Sequence, residues 1–169
     1  MLGGIARGTS RGEKLLPVTS KIMHGWVILT NPQGLATPSV FRKFDEIFPE
    51  APAVPASTQP ILDAITAGKL TDLAAAFEND LWEPAALLRP DLAEIFAEID
   101  GAGIGRILSG SGPSIAILCE ISQVEKLQQH CVCVSRSSVC SQQWDRQLAR
   151  ILNRGPQILQ FLPENIIRY

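Results

Sequence analysis

The run LSGSGPSIAIL, residues 108–118, sets two serines between glycines and then passes through a proline into an apolar stretch of strand type. Two kinds of chemistry suit such a run. Glycine admits positive φ and close backbone approach, so Ser109, Gly110, Ser111 and Gly112 can turn successive N–H groups toward an anion. Alternatively, a serine hydroxyl can act as an acyl-transfer nucleophile. That reaction calls for G-x-S-x-G between a strand and a helix, with a histidine base in reach. Here the glycines lead into a strand, and the two histidines, His24 and His130, stand alone. The nucleophile reading is set aside, and His24 reads as an exposed or turn histidine just before a strand. A plain tight turn satisfies the same residues, so the run by itself leaves nest and turn both open.

Other chemistry-bearing residues are weaker. GAGIGR at 101–106 has the glycines of a dinucleotide loop but follows a helix pattern instead of a strand, so it reads as helix termination. Asp45 with Glu46, and Glu94 with Glu98, fall on solvated helix faces. The four cysteines are Cys119, Cys131, Cys133 and Cys140, the last three close to His130. Their C-x-C spacing, with no second pair, misses the usual zinc patterns. They are expected to be reduced thiols without metal, with Cys119 mid-strand and slow to react.

The elements that must position these residues follow from the whole chain. At 169 residues it can bury roughly 70% of its unfolded surface, so a core needs no disulfide or metal. The formal net charge of −2 argues against a nucleic-acid partner, and no apolar run approaches the ~18 residues of a membrane span. The N-terminus lacks the apolar core of a signal peptide, so a cytoplasmic protein is expected.

Residues 1–18 read as a glycine-rich hairpin. GWVILTNP, residues 25–32, reads as a buried strand stopped by Asn31-Pro32. Thr37 reads as an N-cap with Pro38 opening a helix that spaces Val40, Phe41, Phe44, Ile47 and Phe48. PEAPAVPAS reads as a loop. Two helical segments break at Gly68, and two more follow, the second opened by Pro90-Asp91 with Leu92, Ile95, Phe96 and Ile99 on one apolar face. A strand pair then bends around the glycine turn, followed by a helix in SQVEKLQQH. In the tail, CVCVSRSSVC alternates as a strand does, and SQQWDRQLARILNRGPQILQFLPENIIRY reads as helix, turn and irregular apolar segment.

Three segments occur in order: GGIARGTSRGEKLLPV, GLATPSVF and LSGSGPSIAIL, with NDLWEPA between the second and third. Together they resemble the C-terminal half of the 4-diphosphocytidyl-2-C-methyl-D-erythritol kinases, actinobacterial members in particular, within the GHMP kinase superfamily. The resemblance runs from about Leu2 to about Gln129. It implies an α/β (α+β) fold, the C-terminal domain of GHMP kinases, with helices packed on a small mainly antiparallel sheet. It also implies ATP-dependent phosphorylation of the 2-hydroxyl of 4-diphosphocytidyl-2-C-methyl-D-erythritol, with Mg²⁺, in the isoprenoid pathway.

By the same resemblance, the glycine turn Ser109, Gly110, Ser111 and Gly112 lines the phosphate end of the cleft. Phe41 stacks on the cytosine, and Thr37 and Pro38 shape the pocket edge; periodicity alone would place Phe41 in the core. No catalytic residue is expected in this chain. The family's early lysine, its GLGGGSSDA-like loop and its aspartate in a GADVPF-like segment have no counterpart in the sequence, and Ser10 stands where the family usually has glycine.

The implied organisation is a hairpin, 1–18, left from an N-terminal kinase domain, a C-terminal domain, 19–129, and a divergent tail, 130–169. A truncated chain, inactive alone and binding no cofactor tightly, is expected. An N-terminal half supplied separately is a possible partner beside the small-molecule substrate. A non-catalytic nucleotide-binding module, an inactive remnant and another GHMP-superfamily small-molecule kinase remain the alternatives.

Overall fold

The computed structural model describes residues 5–9, 14–20, 22–50, 57–135 and 145–149. Its centre is strand β3, Gly25–Thr30, preceded by a separate antiparallel hairpin of β1, Ile5–Thr9, and β2, Lys14–Val18. Helices α1, Thr37–Ile47, α2, Gln59–Ala67, α3, Leu70–Ala75, α4, Trp82–Leu88, and α5, Pro90–Glu98, follow. Strands β4, Gly105–Leu108, and β5, Ile115–Cys119, then lead to α6, Val124–Ser135, and β6, Asp145–Ala149. The four-stranded sheet has the order β4-β5-β3-β6, and every neighbouring pair is antiparallel.

Helices cover the sheet on both faces, and the strand sequences say why. In β3, Val27 and Leu29 point to one side, and in β5 Ile115, Ile117 and Cys119 join them. On that side Val40 of α1, Ala85 of α4, Leu92 and Ile95 of α5, and Val124, Leu127 and Cys131 of α6 complete the larger core. Leu118 faces the other way and packs with Ile22, with Ala64 and Ile65 of α2, and with Leu73 of α3. A strand buried on both faces needs apolar residues at successive positions, and IAILC supplies them. Ile5 and Val18 tie the hairpin to this second cluster.

The helices begin and end where the sequence signals them. Pro38, Pro60 and Pro90 each sit in a first turn, where a missing N–H costs nothing. Gly68 closes α2 at φ +76°, a conformation that favours glycine. Of GAGIGR, residues 101–104 follow α5 as a terminating turn, as expected, and Gly105 and Arg106 open β4.

Three readings are corrected. His24 is buried, 6% exposed, with its ring edge-on to Trp26, because the strand's lead-in folds under the second cluster. Residues 131–135 belong to α6, not to a strand: Cys131 continues the stripe of Val124 and Leu127 at helical spacing, and that burial outweighs the local alternation. Residues 145–149 form a strand where a helix was read, since β3 would otherwise leave one edge of N–H and C=O groups unpaired. The expected loop at PEAPAVPAS lies mostly outside the described residues, as do Ser10, Cys140 and most of the tail.

Candidate functional site

The glycine turn is a six-residue connection between β4 and β5. The Ser109 N–H donates to the Ser114 carbonyl at 2.8 Å, and the Gly112 N–H to the Ser109 carbonyl at 3.0 Å. Gly110 and Gly112 take φ of +59° and +82°, so the turn needs glycine at both places. At Gly112 a Cβ would also come within 3.0 Å of Leu108. Among the described residues the N–H groups of Gly110 and Ser111 find no hydrogen-bond acceptor. Two adjacent free amides next to a positive-φ glycine are what an anion nest requires.

The start of α1 meets this turn. Thr37 Oγ1 and Ser111 Oγ are 2.8 Å apart, a hydroxyl pair joining residues 74 positions apart in sequence. Thr37 is therefore not an N-cap: Ala36 holds that place without a side-chain bond, and the Thr37 hydroxyl looks across to the turn. Val40 is fully buried and anchors α1, whereas Phe41 is 51% exposed on the same helix. Phe41 is not a core residue. Pro38 is also exposed and sits beside Thr37 at the helix start.

The loop that delivers α1 is held by an ion pair that sequence reasoning missed. Arg89 grips Asp91 with two bonds, Nε to Oδ1 at 2.8 Å and Nη2 to Oδ2 at 2.7 Å. Its third nitrogen, Nη1, donates to the Gln33 carbonyl at 2.8 Å. Asn31 accepts from the Gln33 N–H at 2.9 Å and reaches Asp91 at 3.4 Å. Bidentate charge-assisted geometry of this kind fixes direction as well as distance. The hydrogen bond to the Asp91 carboxylate raises the Arg89 pKa above its ordinary value, so the guanidinium stays charged.

Asn79 was missed too. Its Nδ2 donates to the carbonyls of Leu108 at 2.8 Å and Gly110 at 2.9 Å, and its Oδ1 accepts from the Leu81 N–H at 2.9 Å. An asparagine just before a helix was the available signal, and it points only to the last of these bonds.

The structure thus brings Thr37 and the Ser109–Gly112 turn into contact and leaves Phe41 and Pro38 exposed on the same helix. A separate cleft of about 470 Å³ opens at the other end of the β4–β5 hairpin, lined in part by Asp100, Gly103, Lys126 and His130. Arg106 pairs with Asp100 there and lies over the Phe96 ring, holding the Asp100 carboxyl below its usual range. No group of three or more His, Cys, Asp or Glu side chains suited to a metal occurs among the described residues. None of their helices is long and apolar enough to cross a membrane.

No family model matches the chain. Curated relatives do. The chain is 43% identical over 120 residues to 4-diphosphocytidyl-2-C-methyl-D-erythritol kinase of Nocardioides sp., a match covering 70% of this chain and 40% of that protein. It is 41% identical over 125 residues to the protein of the same name from Corynebacterium efficiens, covering 73% of this chain and 38% of the relative. Among solved structures it is similar to homoserine kinase from Cytophaga hutchinsonii, with a TM-score of 0.67 at 14% identity, covering 87% of this chain and 48% of that one. It is also similar to a 4-(cytidine 5'-diphospho)-2C-methyl-D-erythritol kinase, with a TM-score of 0.61 at 21% identity, over 83% of this chain and 48% of the other. The chain spans about two fifths of the length of the curated relatives it matches. Over that stretch, with the fold of GHMP kinases, it is a homologue of the 4-diphosphocytidyl-2-C-methyl-D-erythritol kinases.

Proposed function

We propose that the chain supplies one wall of a small-molecule kinase site, for phosphoryl transfer from ATP to the 2-hydroxyl of 4-diphosphocytidyl-2-C-methyl-D-erythritol. Residues 19–129 are the working part, with residues 1–18 facing a kinase domain supplied by other residues. In this reading Phe41 stacks on the cytosine, Thr37 and Pro38 shape the edge of that pocket, and Ser109, Gly110, Ser111 and Gly112 line the phosphates. The observation that carries it is the 2.8 Å contact between Thr37 and Ser111, which puts the base-framing helix and the phosphate turn side by side. A nucleotide diphosphate needs such adjacency, because base and phosphates are joined covalently.

The residues present fit phosphate oxygens, since free amides and hydroxyls donate to them. They do not by themselves fit Mg²⁺: the turn offers neutral hydroxyls and N–H donors and no carboxylate to balance a divalent charge. No step is assigned to the metal in this chain. The substrate assignment rests on the curated relatives, because the fold is shared with kinases named for homoserine and for mevalonate.

Calorimetry with cytidine diphosphate tests the reading. Phe41→Ala should weaken binding by about tenfold, the stacking of one base being worth ~1–3 kcal/mol, while leaving the fold intact because Phe41 is half exposed. Equal affinity in the two proteins would remove Phe41 from the site, and no binding by either would remove the pocket.

A further inference from the structure

We infer that Asn79 is a positioning residue that sets which way the Gly110–Ser111 peptide faces, and so makes the Ser111 N–H available to an anion. The bond geometry gives the reason. A peptide unit is planar and trans, so its C=O and its N–H point in opposite directions. Asn79 Nδ2 holds the Gly110 carbonyl at 2.9 Å. The N–H of that same peptide, on Ser111, must then point away from Asn79. The second bond works alike: Nδ2 holds the Leu108 carbonyl at 2.8 Å, and the N–H of that peptide, on Ser109, points away to the Ser114 carbonyl. One side-chain amide therefore fixes two alternate peptide planes of the turn.

The lock is needed because of the residue it acts on. Flipping the 110–111 peptide rotates ψ of Gly110 and φ of Ser111. Glycine populates both halves of the φ/ψ map, so the flip meets little steric resistance at residue 110. The flipped plane would present a carbonyl oxygen where an N–H had been, exchanging a donor to an anion for a repulsive acceptor. The amide orientation of Asn79 is itself set, since Oδ1 must accept from the Leu81 N–H at the start of α4. Helix α4 and the glycine turn are coupled through this one residue.

The significance for ligand binding rests on the phosphate-lining reading above, and the test separates the two. Two variants are used. Asn79→Asp keeps an oxygen acceptor for the Leu81 N–H and loses both donors; Asn79→Ala loses everything without adding charge. The direction of the Ser111 N–H is read without ligand, by its residual dipolar coupling in a weakly aligned sample of the full chain. In the wild type the coupling should fit the orientation imposed by Asn79, and in both variants it should collapse toward an averaged value while couplings in β5 stay unchanged. Wild-type couplings at Ser111 in both variants would overturn the inference. If Asn79→Ala does not fold, Asn79→Asp, which retains the helix-entry bond, decides alone.

Pyrophosphate titration is the second arm. The Ser111 amide resonance should shift in the wild type, with apparent affinity about tenfold lower in Asn79→Ala, the loss expected when a charge-assisted bond is removed. Collapsed couplings with no response of wild-type Ser111 to pyrophosphate would sustain the orienting role and overturn the phosphate-lining reading.

Discussion

At the scale of single residues, burial of a titratable ring is the most telling condition. His24 is buried at the foot of β3, and its Nδ1 has no hydrogen-bond partner. Burial lowers its pKa below the ordinary 6.5, against the raising effect of a backbone hydrogen bond with Ile22. The folded chain therefore resists protonation at a pH where the unfolded chain accepts it. Between 6.5 and the lower folded value the unfolded state binds more protons, so stability falls as pH falls through that window. Thermal melts of the wild type should lose stability from pH 7 to 5.5 more steeply than melts of His24→Phe, which keeps an aromatic ring against Trp26. Identical pH slopes would clear His24 of the effect. Cys119 shows the same physics in a thiol: its burial pushes the pKa up and disfavours the reactive thiolate.

At the scale of elements, the Arg89–Asp91 pair does what no single helix could, fixing the loop between β3 and α1 to the start of α5. Side-chain exposures of 13% and 9% place it among buried pairs, where removing one partner strands the other charge. Arg89→Ala should cost about 3 kcal/mol, roughly 6–12 °C in melting temperature for a chain of this size. It should also weaken cytidine diphosphate binding, because α1 loses its fixed entry. A loss of stability within 1 °C would show that the loop is held by other contacts. The elements themselves were largely legible in the sequence. Helices α1, α2 and α5 announce themselves by prolines in their first turns and by apolar stripes, and β3 and β5 by short apolar runs. Two kinds of feature were not legible. One is a local pattern overruled by burial, as at Cys131, where period-two alternation conceals a helix face. The other is a side chain acting across the chain, as Asn79 does on Gly110 and Thr37 on Ser111. Local periodicity carries no trace of a partner 31 or 74 residues away.

For the molecule as a whole, the predicted activity depends on groups that this sequence does not carry. Phosphoryl transfer needs the nucleotide phosphates cradled and the acceptor hydroxyl oriented by a base, and most of its rate comes from that positioning. Assayed as a 169-residue polypeptide with ATP, Mg²⁺ and the diphosphocytidyl substrate, the chain should show no turnover. Adding the remaining part of a curated relative should produce it. Turnover by the polypeptide alone would refute the division of labour proposed here, and none after complementation would favour a binding module over half of a kinase.

The sheet order also dictates a schedule. Strand β3 ends at Thr30, but its two neighbours begin at Ile115 and Asp145. At about 5–20 residues per second of synthesis, β3 waits roughly 4 to 17 s on the ribosome before β5 has even begun to emerge. Throughout that interval Val27 and Leu29 have no strand to lie against. Helices α1, α4 and α5 can reach the Val27 and Leu29 face in that time, but both edges of GWVILT keep their N–H and C=O groups unpaired until translation delivers the partner strands.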